Sequence, residues 1–157
     1  MKIVKKVLLM LLAVFVIMQF FGPERNEGDL ATLDAFVAET NPSNEVKTIL
    51  ETTCFDCHSN VTRYPWYDKI TPVNYWLANH IEEGKEHFNV SDWDNYSIKK
   101  KDHKLDELIE EVEDKEMPLE SYTYTHTEAN LSDAQIKAVV DWAKTVRAGY
   151  NLGLNSK

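Results

Sequence analysis

Hydrophobic side chains recur at helical spacing in several segments of the chain, and no segment alternates over the length of a strand. The first such segment is residues 45–58, where Ser43 or Asn44 can cap the start of a helix. Its inward face consists of Val46, Ile49, Leu50 and Thr53. The pattern as a whole predicts an all-α body with long loops.

The second predicted helix covers residues 72–86. It opens at Thr71, a capping residue that is followed by Pro72 at the first helical position. Its apolar face consists of Val73, Trp76, Leu77, His80, Ile81 and Gly84. His80 is therefore expected to point into the body, where its ring would bond to the backbone or to a bound group.

The third and fourth predicted helices flank a loop at residues 119–131. The third covers residues 98–114 and ends before Pro118. Its apolar stripe consists of Leu105, Leu108, Ile109 and Val112. The fourth opens with a capping-box pattern from Ser132 to Gln135. Its buried positions are Ile136, Val139, Val140, Ala143 and Val146.

The N-terminus combines positive charge with an apolar run. Lys2, Lys5 and Lys6 precede residues 7–21, which are interrupted only by Gln19. This arrangement is typical of an export segment, and an uncleaved signal anchor is favoured over a cleaved signal because no A-x-A pattern follows. Lysines before the run orient the N-terminus inward. We therefore expect the body to lie outside the cytoplasmic membrane, anchored to it.

The chain is long enough for one ordinary domain with additional terminal segments. The predicted organisation is a signal anchor or signal peptide at 1–22, a linker at 23–43, the helical domain at 44–150 and a tail at 151–157. The linker is expected to contain one or two helical turns within a weak apolar patch.

The charge of the chain excludes some classes of function. The formal net charge is −9, and such an acidic protein is unsuited to general nucleic-acid binding, which needs clustered Lys and Arg. Two cysteines exclude a disulfide-rich scaffold. One local basic patch consists of Lys99, Lys100, Lys101 and Lys104. It is expected to be a solvated helix face, with docking of an acidic redox partner as the alternative.

Residues 54–58 read C-x-x-C-H, the attachment signature for c-type haem. On a helical turn, Cys54 and Cys57 face the same side and can form thioethers with the two vinyl groups at one edge of the porphyrin. His58 can then place its imidazole beneath the iron as the proximal ligand. The alternatives are a thioredoxin-like redox pair, a zinc site and a disulfide. They are weaker because no βαβ unit is predicted, zinc needs a fourth ligand, and a disulfide across one helical turn is strained.

Met117 is the leading candidate for the second axial ligand. It lies in a Glu-Met-Pro sequence about sixty residues after the cysteines, beside a proline that fixes the loop. A thioether is a soft ligand, and His/Met ligation raises the reduction potential of haem. The alternative is that Met117 only fills a gap in the core. The remaining methionines all lie in the N-terminal segment: Met1, Met10 and Met18.

Other side chains are candidates to surround the haem without binding the iron. His126 follows Met117 closely and can pack over the haem edge or bond to a propionate, and His80 can bond to the backbone or to a propionate from its helix. The aromatic candidates are Trp66, Tyr67 and Trp76. His87 and His103 lie among charged residues and are expected to face solvent.

Two stretches carry these motifs together, CFDCHSNVTRYPWYDKITPVNYWLANHIEEGKEHFNVSDW and KEMPLESYTYTHTEANLSDAQIKAVVDWA. They contain C-x-x-C-H-S, a Y-P-W-Y loop, His80 followed by Glu83-Gly84, a Met-Pro pair and a histidine before the last helix. In these features residues 45–147 resemble the small bacterial haem-binding domain family of cytochrome c-like proteins.

The resemblance implies one covalent haem c on Cys54 and Cys57, with His58 as proximal ligand and Met117 as the distal ligand. It also implies a cytochrome c-like helical fold in which the first and last helices of the domain cross beside the haem. Members of the family are described mainly as haem-binding, so the resemblance says more about the cofactor than about the role.

These observations predict a membrane-anchored, extracytoplasmic mono-haem cytochrome that exchanges single electrons with redox partner proteins. Two alternatives remain open on the sequence. One is a haem enzyme of the peroxidase type, with an open distal position beside His80 or His126. The other is a haem-based sensor, in which a weak bond from Met117 yields to a diatomic ligand.

Overall fold

The computed structural model describes residues 2–155, with the side chains of residues 2–152. Its α-helices are α1 Lys2–Met18, α2 Asp34–Thr40, α3 Asn44–Ile49, α4 Phe55–His58, α5 Val73–His87, α6 Ile98–Glu113, α7 Glu120–Thr123 and α8 Asp133–Asn155. The described residues contain no β-strand, only an isolated bridge between Glu27 and Val61. The all-α prediction is confirmed. Residues 156–157 of the predicted tail lie outside the described part, and α8 continues through residues 151–155.

The first predicted helix forms, with an unusual middle. The Ser43 hydroxyl accepts the Val46 N–H at 3.3 Å and caps α3. Between α3 and α4 the chain widens into a π-helical turn, Leu50–Cys54. All the positions predicted to face inward are buried, namely Val46, Ile49, Leu50 and Thr53. π-Helical turns are often found at functional sites. The π-helical turn that leads into C-x-x-C-H therefore indicates a candidate functional site in this region.

The core is built mainly on α6 and α8, which pack extensively against each other. The predicted stripes supply it, with Leu105, Ile109, Val112, Val139, Val140 and Ala143 buried. The start of α8 has both halves of the predicted capping box. The Ser132 hydroxyl lies 3.3 Å from the Gln135 N–H, and Gln135 Oε1 accepts the Ser132 N–H at 2.9 Å.

Helix α5 buries only part of its predicted face. Its buried residues are Asn74, Leu77 and Ile81. Trp76 is 46% exposed, and His80 lies partly exposed with its Nδ1 2.9 Å from the Trp76 carbonyl oxygen. His80 is therefore not buried as predicted, although its ring does bond to the backbone as expected. Asn74 takes an inward position because its amide donates to the Thr71 hydroxyl at 3.0 Å.

The segment predicted as a linker, residues 23–43, contributes to the core. Phe36 on α2 is fully buried, and its ring meets the Trp93 ring edge to face with 4.9 Å between centroids. The Trp142 indole N–H donates to the Thr40 carbonyl at 3.0 Å and fastens the end of α2 to α8. This segment therefore packs as part of the body.

Helix α1 ends where the chain turns onto the body. The Gln19 amide donates to the Thr71 carbonyl and accepts the Thr71 N–H, both at 3.0 Å. A helix of 17 residues is about 26 Å long, whereas a bilayer core is about 30 Å thick. Within the described part of the chain, no helix combines the length and the apolar character that a membrane crossing requires. The membrane-spanning anchor predicted within residues 1–22 is therefore not found among the residues of this segment that the structure describes, 2–22.

Candidate functional site

The imidazole of His58 is oriented by the end of α5. Its Nδ1 lies 2.9 Å from the Gly84 carbonyl oxygen and 3.0 Å from the Phe88 carbonyl oxygen. Because carbonyl oxygens only accept, Nδ1 must carry the proton, and Nε2 is left unprotonated in the neutral ring. A backbone bond at Nδ1 is the usual way in which a metal-binding histidine is held with Nε2 available.

Burial also favours the neutral form of that ring. The low-dielectric surroundings lower the pKa of His58, while the two carbonyls oppose the shift by accepting from Nδ1–H. The neutral imidazole is the form that coordinates iron. The side chain is therefore in the protonation state and orientation that a proximal ligand needs.

Gly84 is the closest contact between α5 and the C-x-x-C-H motif. A Cβ atom at this position would lie 2.7 Å from the Cys57 carbonyl oxygen and 3.1 Å from the Cys57 Cβ. The absence of a side chain therefore lets α5 approach closely enough for the Gly84 carbonyl to reach His58. This contact gives a physical reason for the Glu-Gly pair noted in the sequence.

We expect Gly84→Ala to destabilise the holoprotein by about 1–3 kcal/mol, the usual cost of forcing extra atoms into a packed site. Gly149→Ala in α8 is the matched control, since a Cβ added there would have no packing neighbour within 4 Å outside the adjacent backbone of its own helix. It should stabilise by about 0.5–1 kcal/mol, because alanine favours a helix. Urea unfolding of both variants provides the measurement. Equal stability of the two variants would contradict the close-packing argument.

The two cysteine side chains are present as neutral thiols. Both thiols are free of any disulfide. Burial raises the pKa of Cys54 to about 12 and that of Cys57 to about 11, so both stay protonated at neutral pH. A redox pair of the thioredoxin type needs a lowered thiol pKa, which is the opposite direction. Across the described residues, no three His, Cys, Asp or Glu side chains cluster as a metal site would require.

This donor set fits a haem. The motif presents an oriented neutral imidazole and two unpaired thiols on one stretch of helix. An imidazole with a free Nε2 can bind the iron, and paired thiols can hold the porphyrin edge. The chemistry of His58, Cys54 and Cys57 therefore agrees with the cofactor that the motif indicates.

Met117 lies partly buried against the same hydrophobic core that Cys54 contacts. Its backbone N–H donates to the Glu111 carbonyl at 3.0 Å, which folds the chain back onto the end of α6. Farther along, Thr127–Ala129 packs on Leu50–Cys54. The segment between α6 and α8 therefore passes beside the motif, and ligation by Met117 stays a prediction.

The remaining candidates form two separate aromatic groups. In one, the Tyr67 ring meets the His126 ring at 6.2 Å and 71° and the Trp66 ring at 5.8 Å and 83°, both edge to face. In the other, Trp76 lies 4.3 Å from His80 between ring centroids. The structure thus joins Trp66, Tyr67 and His126, and it keeps His80 apart from them on α5.

Carboxylates of neighbouring residues form ion pairs with half of the lysines in the basic patch. Lys101 is buried, with its Nζ 2.6 Å from a Glu39 carboxylate oxygen. Lys104 pairs with Glu107 at 2.7 Å. Two of the four lysines are thus paired with carboxylates within the protein, which leaves Lys99 and Lys100 as the remaining charges of the patch.

Sequence reasoning missed three residues around the motif. Asp56, between the two cysteines, is buried and accepts hydrogen bonds from Arg63 and Tyr122. Burial also raises the pKa of Tyr122, and the Asp56 carboxylate adds to that shift. The sequence did contain a signal for such partners, since a carboxylate between buried helical residues needs hydrogen-bond donors. The identity of the donors depends on tertiary contacts that no spacing rule gives.

Comparison with known proteins agrees with the site. No curated protein and no solved structure matches the chain significantly. A family model described as a haem-binding domain matches residues 13–145. The match includes the C-x-x-C-H motif, Met117 and most of the helices that support them. The chain therefore belongs to the haem-binding domain family.

Proposed function

We propose that the protein is an extracytoplasmic mono-haem c-type cytochrome that carries single electrons. In this proposal one haem c is attached covalently through Cys54 and Cys57, with His58 and Met117 as axial ligands. When bound, the haem supplies an iron that alternates between the ferric and ferrous states. The protein supplies attachment, ligand orientation and an apolar environment.

The observation that carries this proposal is the orientation of His58 beside the two free thiols. The Gly84 and Phe88 carbonyls hold Nδ1, so Nε2 stays available as a ligand. Ring rotation is restricted, which limits the structural change that accompanies a change of iron charge. Small reorganisation is what an electron carrier requires.

The packing around the motif supports a cytochrome c-like arrangement. Helix α3 at the start of the domain packs on α8 at its end. The core on which Cys54 and Met117 lie is rich in aromatic residues, including Phe36 and Phe55. Such an environment excludes water and disfavours the extra charge of ferric iron, so together with a thioether ligand it favours a high reduction potential.

Absorption spectra of the purified holoprotein in both redox states, with and without carbon monoxide, test the proposal. A low-spin spectrum that carbon monoxide leaves unchanged supports electron transfer. Rapid binding of carbon monoxide to the ferrous protein would instead indicate an open or labile sixth position, as in a haem enzyme or a sensor.

The proposed location depends on the N-terminal segment. The side chains of α1 are unburied and almost all apolar, and Lys2, Lys5 and Lys6 lie at its start. We expect the full-length protein in the membrane fraction, with its body open to protease only from outside the cytoplasmic membrane. Mature protein that begins near Gly22 and is found in the soluble extracytoplasmic fraction would contradict membrane attachment and show that the signal is cleaved. Full-length protein in the cytoplasm would contradict export.

A further inference from the structure

A buried carboxylate lies inside the C-x-x-C-H motif, where attachment of haem does not require one. Asp56 is only 5% exposed. A buried carboxylate is tolerated only where donors surround it. Its donors come from two parts of the chain, Arg63 in the loop that follows the motif and Tyr122 in α7.

Arg63 holds the carboxylate locally. Its backbone N–H and its Nε donate to Asp56 Oδ1 at 2.9 and 3.1 Å, and its Nη2 donates to Oδ2 at 2.9 Å. Because Arg63 follows Asp56 closely in the chain, these bonds fix the carboxylate without connecting it to the rest of the fold.

Tyr122 reaches the same carboxylate from a distant part of the chain. Its hydroxyl lies 2.8 Å from Asp56 Oδ2, and it must be the donor because an ionised carboxylate only accepts. The Tyr122 ring stacks on the His126 ring, with 4.1 Å between centroids and 10° between planes. The stack holds the phenol in the direction of the motif.

Met117 and Tyr122 belong to the same segment, which connects α6 to α8. The segment is tied to α6 by the bond from the Met117 N–H to the Glu111 carbonyl. It is tied to the motif region again where Thr127–Ala129 packs on Leu50–Cys54. Between these points, among the residues that the structure describes, the Tyr122 hydroxyl makes the one hydrogen bond from the segment to C-x-x-C-H.

We propose that the bond from Tyr122 to Asp56 tethers the segment that carries Met117 to the haem-attachment motif, and so sets how readily the sixth position of the iron opens to an external ligand. The inference rests on the proposed ligation by Met117. For the methionine sulfur to leave the iron, its segment must move away from the motif, and a bond five residues farther on resists that movement. Tyr122 acts through Met117 and is therefore a positioning residue.

Tyr122→Phe in the full-length holoprotein is the direct test. The substitution removes only the hydroxyl and keeps the ring that stacks on His126. Tyr124→Phe is the matched control, because the Tyr124 hydroxyl lies on the same segment but donates to Glu120 at 2.7 Å and not to the motif. Two readouts apply to each variant: the rate of carbon monoxide binding to the ferrous protein, and amide hydrogen exchange across residues 117–126.

We expect Tyr122→Phe to bind carbon monoxide about tenfold faster or more. The reason is that loss of a hydrogen bond to a charged acceptor changes an equilibrium constant by about that factor. Amide exchange across residues 117–126 should rise with it, and Tyr124→Phe should match the unchanged protein in both readouts. Equal behaviour of the two variants in both measurements would overturn the tether.

The two readouts separate failure of the tether from failure of the proposed function. If the unchanged protein already binds carbon monoxide at once, the sixth position is open or labile, the proposed electron carrier is wrong, and so is control of that position by Tyr122. Faster amide exchange in Tyr122→Phe alone would then show that the bond holds the segment for a different reason, and the proposal as stated would be overturned.

Discussion

The double variant Cys54→Ser, Cys57→Ser should release its haem into acidified organic solvent, whereas the unchanged protein should keep nearly all of it. A serine hydroxyl does not form the thioether that a thiol forms with a vinyl group. The haem would then be held by axial ligands and packing alone. Pigment remaining with the protein after extraction, compared by absorption between the two phases, provides the measurement.

Single variants are the controls for this prediction. Cys54→Ser and Cys57→Ser each keep one thiol, so each should retain covalent haem with an absorption maximum shifted by the unreacted vinyl group. The double variant should also unfold far more easily, because a ligand that can dissociate stabilises the folded state only to the extent that its free concentration exceeds its Kd. Covalent haem in the double variant would contradict attachment at C-x-x-C-H.

The parts of the fold that sequence predicts well are those determined by local patterns. The stripe of α6 and the capping box between Ser132 and Gln135 depend on residues within a few turns of one another. Val46 and Ile49 were likewise predicted and are buried, since they lie on one face of a short helix. Helical spacing and capping chemistry therefore give the elements without knowledge of their partners.

The parts that sequence misses are determined by contacts between distant residues. Phe36 lies in a weak apolar patch, yet it is fully buried because Trp93 and Trp142 come from other elements to surround its ring. On α5, Leu77 and Ile81 are buried as the apolar pattern predicts, whereas His80 of the same stripe is partly exposed. The Thr71–Asn74 bond and the close approach of the motif at Gly84 turn the helix so that Asn74 is buried and His80 is not.

The same division applies to the site. The cysteines and His58 are evident from the spacing C-x-x-C-H, because attachment to a porphyrin constrains neighbours in the chain. The carbonyl partners of His58 are not evident, since they come from the end of α5. The motif therefore identifies the donors, whereas the fold determines how rigidly each donor is held.

Met117→Ala should open the sixth position of the iron, because the chain after residue 18 contains no other methionine. The ferric protein should become high-spin or take water, and the ferrous protein should bind carbon monoxide within mixing time. The reduction potential should fall by on the order of 0.1 V or more, a fraction of the range that axial ligands cover. A soft thioether favours ferrous iron, and its loss removes that preference. Absorption spectra and a redox titration provide the measurements.

His80→Ala and His126→Ala are the controls, and the structure gives different reasons for each. His80 lies partly exposed against Trp76, so its loss should leave the low-spin spectrum intact. His126 stacks on Tyr122, and its loss should weaken the segment without removing the ligand. If Met117→Ala kept the low-spin spectrum while either histidine variant lost it, the iron would have two histidine ligands. Its potential would then be low, and exchange with high-potential partners would no longer follow from the site.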